Sequence, residues 1–261
     1  MNSKITSVQN SKIKHLISLD KVRERKKHNQ FTIEGIKELA LAIRADYAID
    51  SVFYCEEIID LAQVAALGIE EGLLTPVNLS VFEKMAYRES TGGVIAIAEK
   101  KSTQLNQIRL SENPLLLILE AVEKPGNLGA ILRTADAAGV DAVICCDPQT
   151  DFYNPNVIRS SIGCVFTTQI ASTSSEDTIA WLKEKGIKLF CTYLSGASKY
   201  TDVSYKQPCA IVMGSEANGL SDIWINNADA NILIPMRGKI DSMNVSVAAA
   251  VVVFEALRQR E

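Results

Sequence analysis

The sequence contains no apolar run approaching the roughly 20 residues of a membrane-spanning helix. Its first residues, MNSKITS, lack the apolar core of a secretion signal, so a cytoplasmic protein is expected. Aromatic residues are few, at 6%, yet hydrophobic residues make up 47% of the 261-residue chain and charged residues 22%. This composition excludes a disordered chain and is typical of a globular protein.

The chain also lacks the usual sequence pattern of a structural metal site. None of its six cysteines forms a CxxC pair, and its two histidines, His15 and His28, lie in a basic segment without cysteine neighbours. Most of the cysteines lie in or beside apolar runs, which favours small buried side chains over disulfides or zinc. The cysteines are Cys55, Cys145, Cys146, Cys164, Cys191 and Cys209.

Neither of the common nucleotide-phosphate loops, GxGxxG and GxxxxGK[ST], follows any predicted strand. A nucleotide-dependent oxidoreductase on a doubly wound sheet is therefore a weaker alternative.

The net charge of −4 hides an asymmetry, because residues 1–30 carry eight Lys or Arg and only two acids. This segment has a net charge of +6 and leaves −10 on the other residues. A local basic patch can bind phosphate groups of a nucleic acid. A run of charges is also compatible with an ordinary solvated helix face.

Strands and helices alternate in the first hundred residues, which predicts a compact three-layer α/β sandwich. Apolar residues recur at helical spacing from Asn10 to about Lys27, with Asn10 or Ser11 available as the cap. The polar stretch 99–113 is typical of a linker. The predicted organisation is residues 1–100, a linker at 101–112 and a second domain at 113–261.

Continuous apolar strands in the second domain predict a parallel sheet covered by helices on both faces. The expected elements include a helix at about 129–138 and a strand at 165–170, with a loop at 195–206. The final helix, from Val245 to about Leu257, is apolar almost all round. A terminal helix of this kind needs partners on every side, which favours packing against a second subunit.

Three segments of this domain place glycines beside a few polar side chains at the end of an apolar run. They are KPGNLGAILR (124–133), MGSEANGL (213–220) and IPMRGKIDSMNVSVA (234–248). Together they resemble the three motifs of the SpoU/TrmH branch of the SPOUT superfamily, which are RNA ribose 2′-O-methyltransferases. The resemblance covers residues 113–261 and implies S-adenosylmethionine as cofactor, a C-terminal trefoil knot and a homodimer formed through this domain.

The N-terminal half resembles the L30e-like domain that precedes the catalytic domain in many such enzymes. The matching segments are the basic run 21–27 and FTIEGIK at 31–37. This resemblance implies that five side chains contact RNA phosphates, giving salt-sensitive affinity with little sequence preference. They are Lys21, Arg23, Arg25, Lys26 and Lys27.

The resemblance also implies the catalytic group. Its members are Asn127, Arg133, Glu216, Ser242 and Asn244. In this family the arginine is often assigned as the general base, and the resemblance implies that Glu216 orients Asn127 or Arg133. Because a guanidinium is effectively never deprotonated, neutralisation of a substrate phosphate is the alternative role for Arg133. Structural alternatives remain open: Arg133 could pair with Asp136, and Ser242 and Asn244 could simply cap the last helix. The segment Glu123-Lys124-Pro125 departs from the Asp-Pro pair common in the family.

The implied cofactor contacts come from strand ends and from the third motif. They are Thr192, Leu194, Gly214, Ile234, Met236 and Met243. Core packing is the alternative for Ile234 and the two methionines. Gly214 would let the cofactor approach the backbone. Arg159, in VIRSSIG (157–163), is expected to hold substrate.

The sequence therefore predicts an S-adenosylmethionine-dependent RNA 2′-O-methyltransferase that acts on ribosomal RNA. Transfer RNA is the next candidate substrate. A non-catalytic RNA-binding module is the main alternative of another class.

Overall fold

The structure, a computed structural model, describes residues 2–87, 92–240 and 242–261. The strands within this part of the chain are β1 (Gln30–Glu34), β2 (Ile49–Tyr54), β3 (Leu74–Pro76), β4 (Val94–Glu99), β5 (Leu115–Glu120), β6 (Ala142–Cys146), β7 (Ile170–Thr173), β8 (Lys188–Thr192), β9 (Ser198–Lys199), β10 (Cys209–Met213) and β11 (Ala230–Leu233). The α-helices are α1 (Ser11–Ser18), α2 (Val22–His28), α3 (Ile36–Arg44), α4 (Leu61–Ala65), α5 (Leu79–Met85), α6 (Pro125–Ala138), α7 (Pro155–Ser160), α8 (Cys164–Thr167), α9 (Ser175–Glu184), α10 (Asp222–Asn227) and α11 (Val245–Arg260). Short 3₁₀ helices cover Glu71–Leu73 and Leu105–Gln107. Across the described ranges, none of the helices combines the length and apolarity needed to cross a bilayer.

The chain divides into two compact units. The N-terminal unit comprises Met1–Lys101 and Asp151–Thr167, and the C-terminal unit comprises Ser102–Thr150 and Thr168–Glu261. The division differs from the boundaries predicted from sequence, which placed the whole of 113–261 in the second domain. Helices α7 and α8 belong to the N-terminal unit, where α7 packs against β1 and α8 against α3.

A four-stranded sheet in the order β1-β4-β2-β3 forms the centre of the N-terminal unit. β4 runs antiparallel to β1 and β2, whereas β2 and β3 are parallel. Apolar side chains of α1 and α5, including Ile13, Leu16 and Phe82, form one core cluster with Phe53 and Ile95 of the sheet. Helix α3 packs against β1 and β4.

The structure corrects two elements expected from sequence. The helix predicted from Asn10 to Lys27 is broken, because α1 ends at Ser18 and α2 begins at Val22. Asn10 caps α1 through its side chain, which accepts a hydrogen bond from the Lys12 amide. The predicted strand 165–170 is instead α8 followed by β7. A short buried apolar run fits either a strand or a helix, so periodicity alone does not separate them.

The C-terminal unit contains the predicted parallel sheet. Seven strands lie in the order β7-β6-β5-β10-β8-β11-β9, and every neighbouring pair is parallel. Its core includes Leu116, Ile118, Ile144, Val212 and the fully buried Trp224. Helix α10 and the two-residue strand β9, which lies in the predicted loop 195–206, were not expected from sequence.

The predicted linker 101–112 is largely part of the C-terminal unit rather than a free connection. Leu105, Ile108 and Leu110 pack against its core cluster. The Ser172 amide donates a hydrogen bond of 2.8 Å to the Thr103 carbonyl oxygen. Apolar side chains in an otherwise polar stretch therefore dock this segment.

The last helix, α11, packs against α6 and β10. Val245, Ala249 and Val253 are among its buried residues. Val247 and Phe254 remain 51% and 47% exposed. The helix predicted to be apolar on all sides is thus covered on one side and leaves apolar side chains on another.

Candidate active site

The three glycine-containing segments follow strands β5, β10 and β11 of the same parallel sheet. The carboxyl ends of parallel strands lie at one edge, where ligands commonly bind. Pro125 opens α6 directly after the β5 turn, which suits a residue without an amide hydrogen. Asn127 consequently lies in the first turn of α6, because the helix begins four residues before the predicted start at about Gly129.

Three of the five predicted catalytic residues form a hydrogen-bond network. The Asn127 amide donates to Glu216 Oε1 over 2.7 Å. The Asn244 Nδ2 atom donates to Glu216 Oε1 and to Asn127 Oδ1, both over 3.1 Å. The structure thereby brings one residue from each of the three segments together.

Asn244 has a second task at this edge. Its Oδ1 atom accepts a hydrogen bond of 2.9 Å from the Ser246 amide and caps α11. Asn244 can therefore cap α11 and belong to the network at once. Its side-chain oxygen serves the cap, whereas its side-chain nitrogen serves Glu216 and Asn127.

Lys124 completes the network and was not selected as a site residue from sequence. Its ammonium donates to Glu216 Oε2, whereas Asn127 and Asn244 use Oε1. The Lys124 ammonium, and next the Asn127 amide, hold the pKa of the Glu216 carboxyl below its ordinary value, despite an opposing contribution from desolvation. Glu216 is therefore ionised at neutral pH. The departure of Lys124-Pro125 from the family pattern was the sequence signal for this residue.

The loop that carries Glu216 is a tight turn. Ser215 and Gly219 exchange backbone hydrogen bonds of 3.1 and 3.0 Å, and Gly219 has a φ of +66°. A Cβ atom on Gly214 would overlap the backbone of Gly219. Close approach within the loop therefore already requires glycine at 214, a reason distinct from the predicted approach of the cofactor.

All six predicted cofactor residues line one cavity of about 910 Å³. They are Thr192, Leu194, Gly214, Ile234, Met236 and Met243. Glu216, Ser242 and Asn244 also line it. Sequence reasoning missed Tyr193, Ser195, Ile240 and Ala248, although each is adjacent to, or within a few residues of, a predicted residue.

The cavity is mainly apolar and open at its mouth. Leu194 and Ile240 are 67% and 71% exposed there. The Thr192 hydroxyl donates to the Val212 carbonyl oxygen over 2.9 Å, so its hydrogen is used within the sheet. Exposed apolar side chains beside a large cavity are typical of a small-molecule site.

A smaller cavity, of about 270 Å³, adjoins the first. It is lined by Val122, Glu123, Lys124, Asn127, Glu216, Ala217 and Val245. Glu216 and Val245 line both cavities, so the network lies at their shared wall.

Two predicted arginines lie apart from this network. Arg133 is exposed on α6 and lines neither of the two cavities. Arg159 belongs to the N-terminal unit, where it lines a separate cavity of about 270 Å³ with Lys37 and Tyr87 among others. The sequence placed Arg159 in the second domain, whereas the division into compact units places it in the N-terminal one.

The basic run of α2 contains one residue that differs from the rest. Lys21, Arg23, Lys26 and Lys27 are exposed, and Lys27 lies 3.8 Å from Glu24. Arg25 is only 1% exposed.

Arg25 is held by three oxygen atoms within its unit. Its Nη1 atom donates to the Leu19 and Asp20 carbonyl oxygens over 2.8 Å each, and Nη2 donates to Asp151 Oδ2 over 2.6 Å. The prediction that Arg25 contacts RNA phosphates is therefore corrected. The same contacts satisfy carbonyl oxygens just beyond α1, where the predicted long helix is broken.

All six cysteines are buried and none is in a disulfide. Burial raises the pKa of Cys146 and Cys191 to about 12. Among the described residues, no group of three or more His, Cys, Asp or Glu is placed to hold a metal ion.

Comparisons with known protein families match both halves of the chain. Residues 114–254 match the SpoU rRNA Methylase family, and residues 10–96 match the MRM3-like substrate binding domain.

Two similar proteins are named as ribosomal RNA methyltransferases. The chain is 33% identical over 255 residues to the 23S rRNA (guanosine-2′-O-)-methyltransferase RlmB of Ralstonia nicotianae, covering 96% of this chain and 97% of that protein. It is 28% identical over 250 residues to the 23S rRNA (guanosine(2553)-2′-O)-methyltransferase RlmP of Bacillus subtilis, again covering 96% and 97%.

A solved structure extends the likeness to three dimensions. The AdoMet-bound rRNA methyltransferase from Sinorhizobium meliloti is similar with a TM-score of 0.90 and 32% identity, over 98% of this chain and 97% of that one.

Proposed function

Because this chain belongs to the SpoU rRNA methylase family and is an S-adenosylmethionine-dependent RNA 2′-O-methyltransferase, we propose that its substrate is a ribose of 23S ribosomal RNA. The observation that supports methyl transfer is the network of Asn127, Glu216 and Asn244 beside the 910 Å³ cavity. Relatives matched over both units are named for 23S rRNA, which favours it over transfer RNA.

The large cavity fits the cofactor. Its volume is within the range of small-molecule sites, about 300–1,000 Å³. Ile234, Met236 and Met243 would pack against the apolar parts of the cofactor, while Thr192, Leu194 and Gly214 would flank it. When bound, S-adenosylmethionine supplies a methyl group on a positively charged sulfur.

The network residues would position the ribose hydroxyl. Asn127 and Asn244 are fixed by one carboxylate oxygen of Glu216, which limits their rotation. Such fixed polar groups hold a reacting atom in line with its partner. Ser242, on the wall of the large cavity, would contact the ribose or the cofactor carboxylate.

Arg133 would act through its charge. A guanidinium is effectively never deprotonated in proteins, so it is a poor general base. We assign it to a phosphate of the bound RNA, where its charge lowers the effective pKa of the neighbouring hydroxyl.

The N-terminal unit would bind the RNA backbone. The exposed cations of its basic run are Lys21, at the N-cap of α2, and Arg23, Lys26 and Lys27 on α2. The separate cavity lined by Lys37, Tyr87 and Arg159 offers two further cations and an aromatic ring. Such groups bind phosphates and unstacked bases.

The proposal extends to topology and assembly. We assign an L30e-like fold to the N-terminal unit and a trefoil knot to the C-terminal unit. Insertion of the late strand β10 between β5 and β8 supports the knot.

The exposed Val247 and Phe254 of α11 support a homodimer formed through the C-terminal unit. An enzyme of ribosomal RNA would act in the cytoplasm.

The test is mass-spectrometric mapping of 2′-O-methyl groups after purified protein and S-adenosylmethionine are incubated with unmodified 23S rRNA or transfer RNA. We expect one or few modified riboses in 23S rRNA. Modification of transfer RNA alone would overturn the proposed substrate. RNA binding without any methyl transfer would instead favour a non-catalytic module.

A further inference from the structure

Lys124 occupies an unfavourable position for a cation. It is the N-cap residue of α6, and its side chain makes no capping hydrogen bond. The helix macrodipole is positive at this end and disfavours a positive charge. The side chain is 69% exposed, and exposed ion pairs contribute little to stability. Its pairing with Glu216 is therefore poorly explained by stability alone.

The residues that line the smaller cavity indicate a function for the Lys124 ammonium. Two of its lining residues, Glu123 and Glu216, are acidic, and Lys124 is its only cation among the described residues. Without Lys124 the cavity would present two carboxylates and would repel a phosphate. The cavity shares Glu216 and Val245 with the large cavity. RNA that brings a ribose to the large cavity would therefore place a flanking phosphate near Lys124.

The hydrogen-bond geometry leaves Lys124 able to bind a second anion. An ammonium has three donors, and the contact recorded for Lys124 is with Glu216 Oε2. Glu216 Oε1 is used separately by Asn127 and Asn244. One carboxylate therefore connects the cation on one side with the network on the other.

Building on the proposed function, we propose that Lys124 is a positioning residue that binds a phosphate flanking the target ribose. Glu216 holds the ammonium at the smaller cavity before RNA arrives. Lys124 then donates to Glu216 and the phosphate together, which fixes the nucleotide relative to Asn127 and Asn244.

The experiment compares Lys124→Gln with Lys188→Gln in methyl transfer to 23S rRNA. Lys188 is a matched control, because it forms an exposed ion pair of 2.7 Å with Asp229 at the start of β8, the opposite edge of the parallel sheet. We expect Lys124→Gln to raise the KM for RNA about tenfold, as for the loss of one charge-assisted contact. The slope of log affinity against log salt should become about one unit shallower.

Two further measurements separate this role from a structural one. Lys124→Arg should keep the wild-type salt slope, and calorimetry should show unchanged cofactor affinity in Lys124→Gln. Glu123 and Lys124 are the charged residues beside Glu216 in the smaller cavity. Since Lys124 lowers the pKa of Glu216, its removal should move the acid limb of kcat to higher pH.

Each remaining outcome has a defined meaning. Equal salt slopes and KM values for Lys124→Gln and wild type would overturn the role of Lys124 alone. Equal losses in Lys124→Gln and Lys188→Gln would also overturn it, because the effect would then be one of net charge. Absence of transfer by the wild type to 23S rRNA would overturn the proposed substrate and this inference with it.

Discussion

Two ion pairs, one in each unit, differ in what surrounds them. Arg25 and Asp151 of the N-terminal unit lie 2.6 Å apart, with side-chain exposures of 1% and 19%. Lys124 and Glu216 of the C-terminal unit have exposures of 69% and 29%. The first cation is enclosed by protein oxygens, whereas the second faces solvent beside a cavity.

Burial determines what each pair can do. Removing one partner of a buried pair leaves an uncompensated charge and costs about 3–5 kcal/mol. An exposed pair contributes about 0–1 kcal/mol and leaves its donors available to a ligand. The first pair is therefore expected to maintain the fold and the second to bind substrate.

The largest expected effect tests the buried pair. Arg25→Ala should lower the free energy of unfolding by about 3–5 kcal/mol, because Asp151 and two carbonyl oxygens lose their donor. Arg23→Ala is the control, since Arg23 is exposed on the same helix. Urea titration followed by circular dichroism measures both. Equal stabilities of the two variants would show that the buried pair is not needed for the fold.

The contrast between these pairs also shows what could be predicted from sequence. Asn127, Glu216 and Asn244 follow different strands of a parallel sheet, and the shared edge brings them together. The strand pattern indicated that edge, whereas the resemblance to the SpoU/TrmH motifs selected the residues. Arg25 has the same charge as Arg23, Lys26 and Lys27 on α2. Its burial depends on Asp151, which is 126 residues away, and no local pattern reveals such a contact.

Elements that depend on distant packing were the ones missed. The apolar run of α8 fits a strand as well as a helix until α3 is known to pack against it. The segment 151–167 follows β6 in sequence but packs in the N-terminal unit. In both cases the deciding contacts come from residues far along the chain, whereas propensity and periodicity report only local preference.

The second prediction concerns Arg133, which lines neither the large cavity nor the smaller one. Arg133→Ala should lower kcat about 10²–10³-fold, because it removes the charge that, through the bound phosphate, favours the negative charge developing on the ribose oxygen. Cofactor affinity should be unchanged, because Arg133 does not line the large cavity. Arg109→Ala, another exposed arginine of the same unit, is the control. Rates and calorimetry measure the two effects, and turnover like that of wild type would remove Arg133 from the catalytic group.

The smallest expected effect sharpens the comparison within the basic run 21–27, where Arg25 is buried and the other four cations are exposed. Changing Lys21, Arg23 and Lys26 to Gln should make the salt dependence of RNA affinity shallower by about two to three units, since each phosphate contact contributes about 0.9. Stability should change little because all three are exposed. The matched control changes Lys183, Lys185 and Lys188 of the C-terminal unit, which removes the same charge. If both triple variants flatten the slope equally, net charge determines RNA binding. The proposal that the exposed cations of the basic run contact RNA phosphates would then be wrong.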